Sequence, residues 1–348
     1  MAAAADPADA PGPGMVQRHL LDAIDRAAET RREEWASLAA PGDVTARQRR
    51  LRDAFRAAIG PFPEPSPLAP QVTGRVEKPG YVVEKIVYTS QPGIHVTAAL
   101  FLPDERRFPK PWPAVLVACG HANIGKAHDP YQRASALLAT HGIAALLFDP
   151  IGQGERRQFC DAQGKSTCGN CVAEHTVVGA ACIPLGRNLA AWMIHDGIRG
   201  LDYLASRSDI RADRLGCMGN SGGGTQTSYI AALDDRVAAA AISCYVTSLF
   251  GKLPRTIGPQ DAEQNIFGQL AFGMDHADYL LMRAPRPSRP QAPCSRYRMP
   301  AHLPTSPPMS RVGSRLRVRP AGRSMRPRFA RKPACAAACA RRSHERRA

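Results

Sequence analysis

The chain has 348 residues, 44% of them hydrophobic, so a sizeable buried core is expected, and no stretch approaches the roughly 18 consecutive apolar residues of a membrane-spanning helix. Its formal net charge of +16 would, taken alone, suggest a nucleic acid or an acidic membrane surface as partner. The charge is not spread evenly: residues 284–348 hold 16 Arg and one Lys against the single acid Glu345, while residues 1–283 hold 29 basic and 29 acidic side chains. The folded body is neutral, so neither a membrane nor a nucleic acid is the expected partner.

After Met1, residues 2–14 are Ala, Pro, Gly and Asp, with neither a basic nor an apolar segment of the kind a secretory signal needs. They read as a disordered leader, and a cytoplasmic location is the expectation. Over 15–60, apolar residues recur at three and four positions (Leu20, Leu21, Ile24, Ala27, then Leu51, Phe55, Ala58), which predicts two amphipathic helices. A Pro-rich link, Pro61 to Pro70, follows. Next come two β-rich runs, Tyr81 to Thr89 and Ile94 to Leu102, which predict a hairpin about Gln91-Pro92-Gly93.

The unbroken apolar run from Ala114 to Cys119 predicts a strand buried on both faces. From there helices (Tyr131 to His141, Leu189 to Arg207, Thr225 to Ala232) alternate with strands (Ile143 to Phe148, Leu215 to Met218, Val237 to Cys244). That order predicts an α/β fold, a mostly parallel sheet with helices on both faces, over residues 71–287. The N-terminal helices form an extension of it. Beyond Pro287 the composition turns to Arg, Pro and Ala, and residues 288–348 read as a disordered basic tail.

Gly219-Asn220-Ser221-Gly222-Gly223 lies between a predicted strand and a predicted helix. A G-x-S-x-G turn in that context is a nucleophile elbow: small neighbours let strand and helix approach, and the Ser221 oxygen stands above the sheet edge. The Gly222 N–H, at a helix N-terminus, is placed to stabilise an oxyanion. A second donor is expected from the backbone of His121 or Ala122, in the loop after the run ending at Cys119. A phosphate loop is the competing reading of the glycines, and the lysine of such a loop is absent. Asp149 and Gln153, in the loop after the next strand, and His175 are candidates for the substrate side of the site.

Five segments together carry a more specific resemblance. They are the Pro92-Gly93-Ile94 hairpin, the Gly120-His121 loop with Lys126 and Tyr131-Gln132, the turn from Asp149 to Glu155, the helix Asp196 to Leu204, and Gly219 to Gly224. From about Val72 to Pro287 the chain resembles the acetyl xylan esterase and dienelactone-hydrolase-like branch of the α/β-hydrolases. The resemblance implies an α/β-hydrolase fold and hydrolysis of a small-molecule or carbohydrate ester, without a cofactor. A prolyl-oligopeptidase-like peptidase and a non-catalytic binding protein of the same fold are the alternatives. It also implies a Ser, then an acid, then a His in chain order, and only the serine has a match. The tail has no Asp, and its Glu345 follows its histidines His302 and His344. The chain is therefore expected to be inactive or impaired. We read the break near Pro287 and Ser288 as a shift of coding frame; a natural nucleic-acid-binding tail is disfavoured by having only Tyr297 and Phe329 as aromatics.

Two further sets invite scrutiny. His276, flanked by Asp275 and Asp278, is a candidate substitute base. Cys160, Cys168, Cys171 and His175, spaced C-x7-C-x2-C-x3-H, are a candidate zinc site, read as lying in one loop. Unliganded buried thiols are the expectation for most of the ten cysteines. Oligomeric state is not legible.

Overall fold

The run 114–119 is apolar throughout because its strand is covered on both faces. In the computed structural model, which describes residues 14–64, 66–251 and 261–291, all of it but Cys119 lies within β4 (Trp112–Ala118) at the middle of an eight-stranded sheet. The other strands are β1 (Gln71–Lys78), β2 (Tyr81–Gln91), β3 (Ile94–Pro103), β5 (Ala144–Phe148), β6 (Ile210–Asn220), β7 (Val237–Ser243) and β8 (Ser288–Gln291). The order is β1-β2-β3-β5-β4-β6-β7-β8. The β1, β2, β3 end pairs antiparallel, including β3 with β5, and β5, β4, β6, β7 and β8 run parallel.

Alternation along the central strands divides the interior in two. Leu116 and Leu146 point into the larger core, with α5 (Leu189–Ser206), α6 (Gly222–Leu233) and residues of α2 (Pro41–Ile59). Val117 and Leu147 point the other way, into a smaller core under α3 (Asp129–Thr140). A side-chain period of two places successive apolar residues on opposite faces, so both faces need cover. Among the described residues, no single helix is long and apolar enough to cross a membrane.

The N-terminal extension comprises α1 (Met15–Ala36) and α2. Arg47, Leu51, Phe55 and Ile59, four residues apart, make the buried stripe of α2. The helix α1 buries no residue, and is tied down by Arg31, whose Nη1 lies 2.6 Å from the buried Asp278 carboxylate.

Three elements depart from the sequence-based expectations. Strand β1 was not foreseen, because Gln71–Lys78 is an exposed edge strand whose polar side chains carry no alternation signal. A helix, α4 (Cys171–Cys182), forms inside what reads as a loop; Asn170 caps it, accepting the Ala173 N–H at 2.9 Å. The sheet also continues past Pro287. Strand β8 needs no apolar run, since its pairing is made by backbone groups alone, including the Ala240 N–H to the Pro287 carbonyl and the Cys244 N–H to the Gln291 carbonyl. Buried Arg283 fastens the approach, donating to the carbonyls of Pro287 at 2.5 Å and Val237 at 3.0 Å. Residues 1–13 of the expected leader and 292–348 of the expected tail lie outside the described residues.

Candidate active site

Strand β6 ends at Asn220 and α6 begins at Gly222, so Ser221 occupies the corner alone. Its backbone takes φ 57° and ψ −123°, a conformation costing a non-glycine residue about 1–3 kcal/mol. The corner is held by the Ser221 N–H, which donates to the Ser243 carbonyl of β7 at 2.9 Å. The side chain faces solvent. The neighbours are small for a reason: a Cβ on Gly223 would collide with the Ala118 carbonyl of β4, and one on Gly222 would stand 2.5 Å from Cε1 of His121. That second contact fixes a position the sequence does not give. The His121 ring lies directly over the first residue of α6, beside the serine. The Gly222 N–H is one of the group at a helix start that has no intrahelical partner.

The loop carrying His121 and Ala122 is supported from below. Gln153 is fully buried, and its Nε2 donates to the carbonyls of Gly120 at 2.9 Å and Ala122 at 3.0 Å. The Gly120 N–H donates to the Tyr131 hydroxyl at 2.7 Å. Asp149, also fully buried, accepts the Lys126 N–H at 2.7 Å, the Lys126 ammonium at 2.5 Å and the Thr97 hydroxyl at 2.7 Å. The sequence reading expected Asp149 and Gln153 on the substrate side of the site, but both are fully buried and neither faces it. Both shape the loop that does, because a buried carboxylate or amide must spend its polar atoms on internal partners.

His175 is likewise buried rather than lining an open substrate cleft. Carried on α4, it is brought to His121, with ring centroids 5.2 Å apart. Two acids absent from the sequence-based candidates join them. Glu263 lies 3.0 Å from Nε2 of His121 through one oxygen and 3.2 Å from Nδ1 of His175 through the other, and Asp261 lies 3.6 Å from Nδ1 of His121. Burial pushes the Glu263 carboxyl upward, but the two histidines outweigh it and hold the group down at about 2. Burial pulls His175 down, and Glu263 more than reverses this. These acids come from a short turn, Ala262–Gln264 with Asp261 before it, with no motif to mark it in sequence.

The C-x7-C-x2-C-x3-H zinc set does not assemble. Cys160 is exposed, Cys168 half-buried and Cys171 buried, all as free thiols, and His175 turns toward Glu263. Among the described residues, the group of metal-ligating side chains close enough to share an ion is His121, His175, Asp261 and Glu263. The reason is α4: its first turn carries Cys171 and its second carries His175, and the helix aims the imidazole inward.

His276 is not brought to the serine. It opens α7 (His276–Leu281), stacks on Tyr245 with centroids 4.4 Å apart, and its Nδ1 accepts the Thr247 N–H at 3.2 Å. Asp275 is occupied by the Leu249 N–H and the Ser248 hydroxyl, and Asp278 by Arg31. Burial lowers the His276 imidazole to about 4, against the pull of Asp275. An unfolded histidine titrates near ~6.5. Between those values the unfolded chain binds a proton that the folded chain does not, so stability is complete above about pH 6.5 and declines as pH falls toward about 4. The urea midpoint should drop over that interval, and His276→Asn should flatten the drop; an equal slope in the variant assigns it to other groups.

The tail residues His302, His344 and Glu345, which do not complete a triad in the family order, lie outside the described residues.

A model of the prolyl oligopeptidase family matches residues 185–254, a span that includes α5, the elbow and β7. A protein of Bacillus subtilis (strain 168), provisionally named hydrolase YtaP, is 26% identical over 208 residues, covering 57% of this chain and 64% of that protein. A Bacteroides fragilis NCTC 9343 structure, provisionally named an acetyl xylan esterase, matches with a TM-score of 0.63 at 21% identity, over 74% of this chain and 70% of that one. The chain has the α/β-hydrolase fold. A further structure of that fold, Methylesterase BT1017, matches with a TM-score of 0.57 at 23% identity, over 77% of this chain and 55% of that one. The chain is thus similar both to esterases and to the prolyl oligopeptidase family. It spans just under two thirds of the length of the curated relative it matches.

Proposed function

We propose that this α/β-hydrolase is built for serine-dependent hydrolysis of carboxylic esters, of acetyl or carbohydrate type. Ser221 is the nucleophile, and the backbone N–H groups of Gly222 and of His121 or Ala122 are the oxyanion donors. The observation that carries the reading is the exposed Ser221 in a positive-φ corner at the start of α6. Such a corner is costly unless it serves to present the side chain, and the helix start offers free N–H groups where negative charge would develop. The names of the esterase relatives supply the substrate class.

The same geometry supports an impaired catalyst. None of His121, His175 and His276 is free to take the serine proton: both nitrogens of His121 face carboxylates, His175 faces Glu263 and Ile151, and His276 is packed against Tyr245. Without a base, a serine hydroxyl loses several powers of ten in rate, and the oxyanion hole supplies what remains. The expected result is slow hydrolysis of p-nitrophenyl acetate and slow labelling by a fluorophosphonate. Ser221→Ala should abolish the labelling and lower hydrolysis by about tenfold or more. Equal rates in the two proteins would overturn the serine reading in favour of a non-catalytic protein of this fold. The family match over 185–254 favours a second reading as a peptidase. Cleavage of a peptide p-nitroanilide without cleavage of the acetate would select it.

A further inference from the structure

The turn at Asp261 and Glu263 brings two carboxylates against two imidazoles, with one candidate ligand atom from each of the four residues lying within 4.8 Å of the others. The hydrogen bonding around His175 decides what belongs between them. Its Nε2 meets the Ile151 carbonyl at 2.8 Å, and a carbonyl can only accept, so Nε2 carries the hydrogen. With no ion bound, Glu263 favours a proton on Nδ1; in the neutral ring, Nδ1 presents a lone pair toward the Glu263 oxygen, itself an acceptor 3.2 Å away, the place a cation would take. Nδ1 of His175 and Oε2 of Glu263 have no hydrogen-bond partner, and neither does Oδ1 of Asp261, although all three residues are more than nine-tenths buried. Buried polar atoms seldom go unpartnered in a native protein, and those of His175 and Glu263 face each other at 3.2 Å, where a cation between them would partner both.

From this we infer that His121, His175, Asp261 and Glu263 form a binding site for one divalent transition-metal ion of the zinc class. The donor set of two nitrogens and two carboxylate oxygens suits zinc. A tetrahedral ion with bonds of about 2.0–2.2 Å holds its ligand atoms about 3.3–3.6 Å apart; here one ligand atom from each of the four residues lies within 4.8 Å of the others, and His175 Nδ1 stands 3.2 Å from Glu263 Oε2. Charge agrees as well: two carboxylates with two neutral imidazoles leave two negative charges for a doubly charged ion. The His175 to Ile151 contact is the arrangement by which a metal-binding histidine is usually oriented, its second nitrogen donating to a carbonyl. Because the His121 ring lies over Gly222, the ion would stand beside the nucleophile corner. This inference rests on the cluster alone and does not depend on the serine acting as nucleophile.

The test is a zinc titration of the full chain after chelator treatment. Bound metal is measured by atomic emission after equilibrium dialysis, and Co2+ serves as a spectroscopic substitute. The expected result is one equivalent of zinc, intense visible Co2+ bands of a tetrahedral site, and a Tm that rises on zinc addition. His121→Asn and Glu263→Gln should each weaken binding by at least about 100-fold. The joint change of Cys160, Cys168 and Cys171 to Ser should leave binding intact. Should Glu263→Gln fail to fold, His121→Asn, in a partly exposed loop, carries the comparison. Failure of the wild-type chain to hold zinc would overturn the site and leave a proton-bridged His and Glu network. Binding unaffected by either ligand variant, or lost with the cysteines, would overturn it too.

Discussion

Replacing Asp196 by Ala is expected to cost about 3–5 kcal/mol of folding stability, through an interaction remote from the serine. Asp196, on α5, accepts from Nη1 of Arg156 at 2.7 Å, and both side chains are at least 95% buried. Removing the carboxylate leaves a guanidinium in the interior with the Asp149 carbonyl, at 3.1 Å, as its remaining partner. An unpaired buried charge costs far more than an exposed pair contributes. In a domain of this size the Tm should fall by roughly 6–20 °C, taking about 2–4 °C per kcal/mol. Asp196→Asn, which keeps an acceptor, should lose less. Asp213→Ala opens the surface pair with Arg211 and should leave the midpoint where it is. A loss under about 1 kcal/mol in Asp196→Ala would mean that water reaches Arg156. The effect should also extend to the site, because Arg156 ends the segment in which Asp149 and Gln153 hold the Gly120 to Lys126 loop.

How much of this was legible in the sequence differs sharply between the elbow and its surroundings. The strand-glycine-serine-glycine-helix order is local, so the corner at Ser221 could be placed from five residues and their flanks. The double-sided burial of β4 and β5 was equally local, because an apolar run without alternation has one reading in an α/β chain. Asp149 and Gln153 show the opposite case. Their position after a strand that ends at the site was readable, but whether they point into the cleft or beneath the loop depends on partners at Thr97, Gly120 and Lys126 far along the chain. Asp261 and Glu263 were invisible for the same reason. Nothing near them is periodic, and their meaning comes from His121 and His175, 142 and 88 residues before Glu263. The cysteine pattern drew attention because its spacing is regular, yet the helix that starts at Cys171 takes His175 elsewhere. Spacing along the chain tests a ligand set only when the segment is a loop free to fold around the ion.

Two amphipathic helices ahead of a domain can serve as a lid, a dimer contact or a simple cap. The burial of Phe55 argues for none of these in their detachable form. Its ring is fully buried, with centroids 5.1 Å from Tyr229 and 5.2 Å from Tyr279, while Tyr229 and Tyr279 are 4.7 Å from each other. Three aromatic rings from α2, α6 and α7 therefore make one packed unit. Phe55→Ala removes a ring that its neighbours cannot replace by collapsing, which costs about 3–5 kcal/mol in a well-packed interior. Urea denaturation should show that loss, while Leu20→Ala on the exposed face of α1 should be near neutral. Tyr229 is carried on α6, the helix that begins immediately after Ser221, so the variant also loosens the element that holds the nucleophile corner. Fluorophosphonate labelling of Ser221 should then slow under conditions where the variant is still folded. If α2 were only a cap resting on a finished domain, Phe55→Ala would change stability by less than about 1 kcal/mol and leave labelling at its original rate.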